Sequence, residues 1–201
     1  MGAILLAALY HPFAGRDSAK KLVVGSLLNL IPGLNLLTLG YALRLMRDVL
    51  AGEETELPPW EGWGGLFLDG VLVLVVGVAF VLAPATLHWL GAGEVLTVLA
   101  FGVAAALEPM ALVRLAAFGR LGAAFEIGKI WQDVRLLFAG YFPAVLAWLA
   151  ALFAYGLLLV GSRWPVAWIL HGFIGFYLYL FFAALFGRVG SRTRMLRLTY
   201  R

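Results

Sequence analysis

The stretch LPPWEGWGGLFLDG at residues 57–70 marks the point where the chain passes from water into lipid. The acidic segment 53–56 precedes it, and residues 71–84 after it carry no charge. Pro58 and Pro59 end any preceding helix, because proline lacks a backbone N–H and restricts the residue before it to extended backbone. The stretch therefore predicts an elbow at which the chain changes direction and enters a membrane.

Two tryptophans, Trp60 and Trp63, stand three positions apart inside this elbow. Residues three apart lie on the same face of a helix, and indole rings favour the boundary between lipid and water. We therefore expect a short amphipathic helix that lies on the inner membrane surface at this point.

Composition places the chain among integral membrane proteins. Hydrophobic residues make up 63% and charged residues 13% of the 201 residues, and the mean hydropathy is +0.95. Soluble domains average about half apolar and about a quarter charged residues, so no separate aqueous domain is expected. The chain contains no cysteine, which excludes disulfides, thiolate metal sites and cysteine nucleophiles. We expect a single integral membrane domain over residues 1–201.

The N-terminal part predicts an interfacial helix. Residues 2–10 form an apolar stretch too short to cross a bilayer, and Pro12 ends it. No Lys or Arg precedes this stretch, so we interpret it as retained rather than as a signal peptide. Asp17 or Ser18 then supplies an N-cap for the next helix.

Residues 22–45 are apolar but interrupted by the segment NLIPGLN at 29–35. Each half is about 15–18 Å long as a helix, about half of a hydrocarbon core roughly 30 Å thick. Two structures fit this pattern: one kinked span, or a re-entrant hairpin that enters the membrane and returns on the same side. The hairpin places fourteen of the fifteen Lys and Arg residues on the cytoplasmic side, whereas a spanning helix places eleven there. We therefore favour the hairpin. Gly52 is placed to cap the C-terminal end of its second helix.

Four later segments are long and apolar enough to span a membrane: residues 66–90, 95–118, 141–160 and 165–186. The segment 121–138 is amphipathic, with apolar side chains at spacings of three and four on one face. That face consists of Ala124, Ile127, Trp131, Val134 and Phe138, opposite Glu126, Lys129, Gln132 and Asp133. We expect this helix also to lie on the inner surface.

The expected fold is an all-α polytopic membrane protein with four full transmembrane helices, an N-terminal re-entrant helical hairpin and two cytoplasmic-side amphipathic helices. Its segments are the interfacial helix and hairpin (1–52), the Trp elbow with the first span pair (57–118), the amphipathic helix with the second span pair (121–188), and a basic tail (189–201). Arginines from Arg188 to Arg201 place the C-terminus in the cytoplasm, where they can also contact anionic lipid.

Several segments together carry a family resemblance. They are YHPF at 10–13, KKLVVGSLLNLIP at 20–32, GYALRLMRDVLAGE at 40–53, LPPWEGWGGLFLDG at 57–70 and FGR at 186–188. In this order they resemble the prokaryotic integral membrane family catalogued as domain of unknown function 4013. Glu61 and Gly62 stand where its members commonly have two acidic residues, so the elbow is less acidic here. The resemblance implies a prokaryotic cytoplasmic membrane and a multi-span helical fold, and it carries no known activity.

Four polar side chains within or beside the apolar segments are candidate functional groups: Glu108, Asn29, Asn35 and His171. A carboxylate in lipid is costly, so Glu108 either lines a water-filled path or is solvated or paired near the inner surface. The two asparagines flank the Pro32–Gly33 break, where their amides either satisfy freed backbone groups or line a cavity. His171 lacks the partner ligands of a metal site and is interpreted as a hydrogen-bonded packing residue.

Aromatic residues are candidates for membrane anchoring and for partner contacts. The expected interfacial anchors are Trp60, Trp63, Trp89, Trp131, Trp164 and Trp168. The expected partner-facing residues of the last span are Phe173, Phe176, Tyr177 and Tyr179, with ordinary lipid contact as the alternative.

No catalytic motif is present: HExxH, a P-loop, a nucleophile elbow and clustered acids with metal spacing are all missing from the sequence. We therefore expect no enzyme activity, no cofactor and no metal site. The first function class is a non-catalytic accessory, scaffold or assembly subunit that docks other membrane proteins. The alternative is a small transporter or channel that uses the break at Pro32–Gly33 and Glu108.

The expected partners follow from charge and hydropathy. They are the lipid bilayer, anionic lipid at its inner surface, and another membrane protein or a second copy of the chain. Nucleic acid is not expected, because the net charge of +4 is explained by Lys and Arg held at the cytoplasmic surface.

Overall fold

The computed structural model describes residues 1–15, 17–53, 56–161 and 165–192, and the side chains of all of these except 161 and 165–167. These ranges contain α-helices and short 3₁₀ helices but no β-strand, which confirms the all-α prediction. The α-helices are α1 (Gly2–Tyr10), α2 (Ser18–Asn29), α3 (Asn35–Ala51), α4 (Trp63–Trp89), α5 (Glu94–Phe118), α6 (Ile127–Leu136), α7 (Phe138–Gly161) and α8 (Pro165–Gly190). The 3₁₀ helices cover His11–Phe13 and Leu121–Phe125.

Four helices, α4, α5, α7 and α8, are long and apolar enough to cross a membrane. They confirm the four predicted spans, although α4 and α7 begin three residues earlier and α8 continues to Gly190. These helices extend beyond their most apolar segments because the backbone conformation of the flanking residues determines where each helix begins and ends. Gly62, for example, has φ 65° immediately before α4 and so allows the turn from which that helix starts.

The centre of the bundle is formed by α3 and α8. Helix α3 packs along both α4 and α8, and α8 is the most buried of the four long apolar helices. Gly52 ends α3 in a left-handed conformation with φ 85°, which confirms its predicted capping position. The short α1 ends at Tyr10 as predicted and also packs on α8, where Ala8 is fully buried.

Helices α2 and α3 form a hairpin rather than one kinked span. Gly25 of α2 contacts Phe176 of α8, and Leu30, further along α2, contacts Gly172, which is earlier in α8. Helix α2 is therefore antiparallel to α8. Tyr41 of α3 contacts Phe176 of α8, and Val49, further along α3, contacts Gly187, which is later in α8. Helix α3 is therefore parallel to α8. The two helices therefore run in opposite directions along α8, and the chain reverses at the Pro32–Gly33 break.

Two glycines let α3 and α4 approach each other at backbone distance. A Cβ atom built on Gly70 would overlap the backbone carbonyl of Leu36, and one built on Gly40 would overlap that of Leu66. Small residues at a helix crossing allow such close approach and the dispersion contacts that come with it. Helix α4, which begins at Trp63, therefore packs tightly against α3 of the hairpin.

The elbow itself is not a helix, so the prediction of an amphipathic helix around Trp60 and Trp63 is wrong. Residues 57–62 are non-helical, and Trp63 is the first residue of α4. The Trp60 ring stacks on Tyr41 with 4.1 Å between ring centroids, and its Nε1–H donates to the Lys21 carbonyl oxygen at 3.1 Å. The hairpin offers the indole both an apolar face and an acceptor, and two prolines oppose a local helix.

The second amphipathic segment is helical, but its faces differ from the prediction. A 3₁₀ helix and α6 replace the single helix, and α6 buries Ile130, Asp133 and Val134. Ile127 and Trp131, expected on the same face as Val134, are exposed. Asp133, which was predicted on the polar face, is buried because an arginine of α5 binds it, whereas the exposed Ile127 and Trp131 remain accessible to lipid.

Charge is strongly polarised along the bundle. Every lysine and arginine among the described residues lies at the end where α4 and α7 begin and α5 and α8 finish. The two ends of the hairpin lie at this end too, since the Lys21 Nζ donates to the Leu57 carbonyl oxygen at 2.6 Å. The Arg44 Nη1 likewise donates to the Glu61 carbonyl oxygen at 2.7 Å. This end is called the basic end below.

Candidate functional site

A cavity of about 220 Å³ lies inside the bundle and is lined by residues of five helices. Glu108 on α5 is the only charged residue in its lining. The remaining lining residues are Leu39, Ala42, Leu43, Met46, Val73, Leu112, Trp148, Leu152, Tyr179, Phe182 and Ala183. The structure thus places the intramembrane carboxylate predicted from the sequence in an apolar and aromatic cavity, called the Glu108 cavity below.

Glu108 is partly buried, and its carboxylate forms no hydrogen bond or ion pair within the part of the chain that the structure describes. Gly77 of α4 lies beside it, at a position where a Cβ would be in van der Waals contact with the Glu108 Oε1 at 3.4 Å. Of the alternatives given above for Glu108, pairing with another helix is not met by any described residue, whereas a water-filled path and solvation near the inner surface stay open. A desolvated carboxylate without a partner is costly inside a membrane protein.

The backbone next to Glu108 is broken by Pro109 and repaired by a tyrosine of α7. Proline removes one N–H from the helical ladder. The Tyr141 hydroxyl donates to the Ala106 carbonyl oxygen at 2.6 Å and accepts from the Met110 N–H at 3.2 Å. This insertion fastens α7 to α5 beside the cavity and holds the break in one geometry.

One wall of the Glu108 cavity is aromatic. The rings of Trp148 on α7 and Phe182 on α8 pack with 4.9 Å between centroids at an interplanar angle of 58°. Tyr179 lies one turn before Phe182 on α8 and supplies the second oxygen-bearing side chain of the lining. The cavity therefore combines one carboxylate, one phenol and a packed indole–phenyl pair.

A second pocket, of about 370 Å³, lies at the tip of the hairpin. The predicted residues Asn29 and His171 both line it, together with Tyr155 and Trp168. The Asn29 Nδ2 donates to the Gly172 carbonyl oxygen at 3.3 Å, and the Tyr155 hydroxyl donates to that of His171 at 3.3 Å. This pocket is called the tip pocket below.

Asn29 is also held from within the hairpin, whereas Asn35 stabilises the turn. The Thr38 hydroxyl donates to the Asn29 Oδ1 at 3.1 Å. The Asn35 Oδ1 accepts from the Gly33 N–H at 3.1 Å, and Gly33 has φ 88°. Both amides thus satisfy polar groups around the break, and Asn29 alone of the two also lines the tip pocket.

Sequence reasoning missed a buried ionic cluster at the basic end. Arg114 of α5 is 3% exposed. Its Nη1 donates to the Asp133 Oδ2 at 2.7 Å, its Nη2 pairs with Glu126, and its Nε donates to the Ala123 carbonyl oxygen at 3.0 Å. The cluster fastens α6 and the preceding 3₁₀ helix to the end of α5.

The two acids of this cluster experience different surroundings. Burial raises the pKa of Asp133, and the Arg114 guanidinium opposes that shift. Hydrogen bonds from Lys129 and Arg114 lower the pKa of Glu126, which is far more accessible to water. The signal available in the sequence was the period of α6, since Asp133 and Ile130 are three apart and so share a face.

The aromatic face of α8 is largely covered by the chain itself. Phe176, predicted to face a partner, is fully buried against Gly25, Tyr41 and Trp60. The Tyr177 hydroxyl donates to the Leu9 carbonyl oxygen at 3.0 Å. Tyr179 lines the Glu108 cavity, and Phe173 alone of the four predicted residues is exposed. The prediction is therefore wrong for Phe176, because the hairpin occupies the place assigned to a partner.

Some of the predicted tryptophan anchors and tail arginines are exposed, and others are buried in the protein. Trp63, Trp89, Trp131 and Trp168 are exposed, Trp60 is partly buried, and Trp164 lies outside the described residues. Arg188 is buried and hydrogen-bonds the His11 Nδ1 at 3.0 Å. It is therefore not available to anionic lipid, contrary to the prediction. Residues 193–201 of the tail lie outside the described part.

No group of three or more His, Asp or Glu side chains that could hold a metal ion occurs among the residues that the structure describes. The side-chain oxygens in the lining of the Glu108 cavity belong to one carboxylate and one phenol. A divalent cation such as Ca²⁺ takes six to eight oxygen ligands, so this donor set does not suit one.

The model of the family described as "Protein of unknown function (DUF4013)" matches residues 24–162. No curated protein and no solved structure matches the chain.

Proposed function

Since the chain belongs to the family described as "Protein of unknown function (DUF4013)", we propose a function from its geometry: a small, non-catalytic membrane transporter that binds its solute beside Glu108. The observation that supports this most directly is the cavity lined by five helices around the Glu108 carboxylate, for which no described residue is an ion-pair or hydrogen-bond partner. Ionisable residues inside membrane segments usually face the bundle interior and mark solute or ion paths.

The Glu108 cavity and the tip pocket are both lined by residues of α7 and α8. Tyr179 and Trp148 line the cavity, and Tyr155 and His171 line the tip pocket. Gly175 of α8 leaves space for two residues of the tip pocket, since a Cβ there would be 2.9 Å from the Asn29 Nδ2 and 3.3 Å from the Tyr155 hydroxyl. In this proposal the solute passes between α7 and α8 from one pocket to the other.

The proposed setting is the cytoplasmic membrane of a prokaryote, with the basic end and the C-terminus in the cytoplasm. The support is the concentration of Lys and Arg at one end, which is the cytoplasmic end in most membrane proteins. The hairpin then enters the bilayer from the cytoplasm and returns, and the tip pocket faces the outer half. The exposed Trp131 and Ile127 of α6 lie in the inner surface beside anionic lipid.

Water access tests the transporter proposal. Leu152 lines the Glu108 cavity, whereas the next residue, Phe153, is 70% exposed on the outer surface of α7. In this cysteine-free chain we expect Leu152→Cys to react with a small hydrophilic thiol reagent and Phe153→Cys, in lipid, to remain unreactive. Labelling is measured by mass spectrometry on intact cells and on inside-out vesicles.

The same assay includes a sidedness control. Ala19→Cys, exposed at the first turn of α2, should react only in inside-out vesicles. Reaction of this cysteine from outside intact cells would contradict the proposed orientation. Equal and negligible labelling of Leu152→Cys and Phe153→Cys would mean that the cavity is closed to water, and transport through it would be rejected.

A second candidate function, an accessory subunit that docks another membrane protein, is supported by the surface of α7. This helix is the least buried of the four long apolar helices and packs mainly on α8. Its outward residues Phe153 and Leu157 are exposed. A transmembrane helix of a partner protein would fit along this surface, in place of the α8 face that the hairpin covers.

Native mass spectrometry after gentle extraction tests this second candidate. A docking subunit should retain one partner at fixed stoichiometry and lose it when Phe153 and Leu157 are both changed to Ala. The matched control changes Val98 and Leu99, exposed on α5, to Ala. Docking through α7 is rejected if the chain is recovered without a second protein, or if both double variants lose the partner equally.

A further inference from the structure

We propose that the Glu108 cavity binds a small quaternary ammonium cation, that is, a monovalent organic cation with an apolar surface. This inference rests on the proposed function and names the class of solute for the same cavity. Three properties of the lining support it: its charge, its aromatic wall and its size.

The charge of the lining calls for one positive charge. Glu108 is the only charged lining residue, and the described part of the chain offers it no ion pair or hydrogen bond. The arginines of the neighbouring helices are engaged elsewhere, Arg114 with Asp133 and Arg47 with Asp69. A monovalent cation in the cavity would neutralise the carboxylate, whereas an anion or a second carboxylate would be repelled.

The aromatic wall selects the type of cation. Trp148, Phe182 and Tyr179 line the cavity, and a cation over an aromatic ring is attracted by the ring quadrupole, most strongly over Trp. Metal cations need several oxygen ligands to replace their water, and the lining supplies only the Glu108 carboxylate and the Tyr179 hydroxyl. A quaternary ammonium group needs no such ligands, because its charge is spread over alkyl groups that suit the Leu, Met, Val and Ala side chains around it.

The size of the cavity sets an upper limit. A volume of about 220 Å³ lies below the range of roughly 300–1,000 Å³ typical of pockets for drug-sized ligands. The cavity therefore fits a headgroup-sized cation such as choline or tetraethylammonium rather than a large aromatic dye. Leu152 lines the cavity and is 39% exposed on α7, so such a cation can also enter from the bilayer side.

Equilibrium binding of radiolabelled choline to the protein in lipid nanodiscs, followed by scintillation proximity, tests this inference. Tetramethylammonium and tetraethylammonium serve as charged competitors. The neutral competitor is 3,3-dimethylbutan-1-ol, which has the shape of choline with carbon in place of the charged nitrogen. We expect the charged competitors to displace choline and the neutral one to be at least about thirtyfold weaker, as for the loss of one buried charge pair.

Two variants locate the site. Glu108→Gln keeps the shape of the side chain and should weaken choline binding at least about thirtyfold. Trp148→Leu should weaken it by about threefold to thirtyfold, the range of a desolvated cation–π contact. The matched control Glu94→Gln removes an exposed carboxylate from the first turn of the same helix and should leave binding unchanged.

The outcomes separate this inference from the proposed function. Competition by the neutral alcohol as strong as by choline overturns it, and that measurement needs no variant to fold. Unchanged binding in Glu108→Gln also overturns it. If none of the three cations binds while Leu152→Cys still reacts with the hydrophilic reagent, the cation assignment is wrong and water access to the cavity stands. If Leu152→Cys is also unreactive, both proposals fail together.

Discussion

The Gly70→Ala variant is expected to lower the thermal stability of the protein far more than a methyl group added at a helical glycine with open space around it. A Cβ at this position would overlap the backbone carbonyl of Leu36, and neither backbone can move without separating α3 from α4. Forced overpacking typically costs about 1–3 kcal/mol, and we expect a loss at the upper end of this range because the clash involves two backbones. Helix melting followed by circular dichroism in detergent measures the effect.

A matched glycine provides the control for this prediction. Gly102 lies inside α5, and a Cβ there meets nothing within 4 Å. Since Ala favours a helix over Gly by about 1 kcal/mol, Gly102→Ala should melt at the same temperature as the parent or slightly above it. Gly40→Ala, on the other side of the crossing, should behave like Gly70→Ala, because its Cβ would overlap the Leu66 carbonyl. Equal melting of Gly70→Ala and Gly102→Ala would show that the helices are not in backbone contact.

The second large effect is expected for Arg114→Gln. This change leaves the Asp133 carboxylate buried without its guanidinium partner and frees the Ala123 carbonyl oxygen. Removing one member of a buried ion pair typically destabilises a protein by about 3–5 kcal/mol, because the remaining charge stays desolvated. We therefore expect detachment of α6 and a large drop in melting temperature.

Two further changes separate this ionic contact from a general loss of surface charge. Arg120→Gln removes an arginine that pairs with Glu126 at 3.4 Å but is 64% exposed, and it should change stability by less than about 1 kcal/mol. Adding Asp133→Asn to Arg114→Gln removes the uncompensated charge and should recover part of the loss. No recovery in the double variant would mean that the arginine acts through packing alone.

The pH dependence of the Arg114→Gln variant has a defined sign. Burial raises the pKa of Asp133, and the variant loses the guanidinium that opposes this shift. The folded variant then binds a proton more readily than the unfolded chain, so its stability should rise as the pH falls from neutral toward the ordinary aspartate range. The deficit relative to the parent protein should therefore shrink at acidic pH.

Local properties of the sequence determined the fold class and most element boundaries. The length and apolarity of four segments were sufficient to predict the spans, because a helix that crosses lipid needs about 20 apolar residues whatever surrounds it. The break at Pro32–Gly33 and the end of α3 at Gly52 were equally readable, since proline and glycine act on the backbone at their own positions. Charge bias also favoured the hairpin over the kinked span, in agreement with the contacts of α2 and α3 along α8.

Tertiary structure alone decided which side chains meet. Phe176 looks like a partner-facing aromatic in the sequence, yet the hairpin brings Gly25 and Tyr41 onto it from more than a hundred positions away. Asp133 looks like the solvent face of an amphipathic helix, yet Arg114 draws it into the protein. Glu108 was identifiable as an unusual charge, but its aromatic surroundings come from α7 and α8. Helix formation and membrane insertion depend on neighbouring residues, whereas burial and pairing depend on how distant helices pack, which no local pattern encodes.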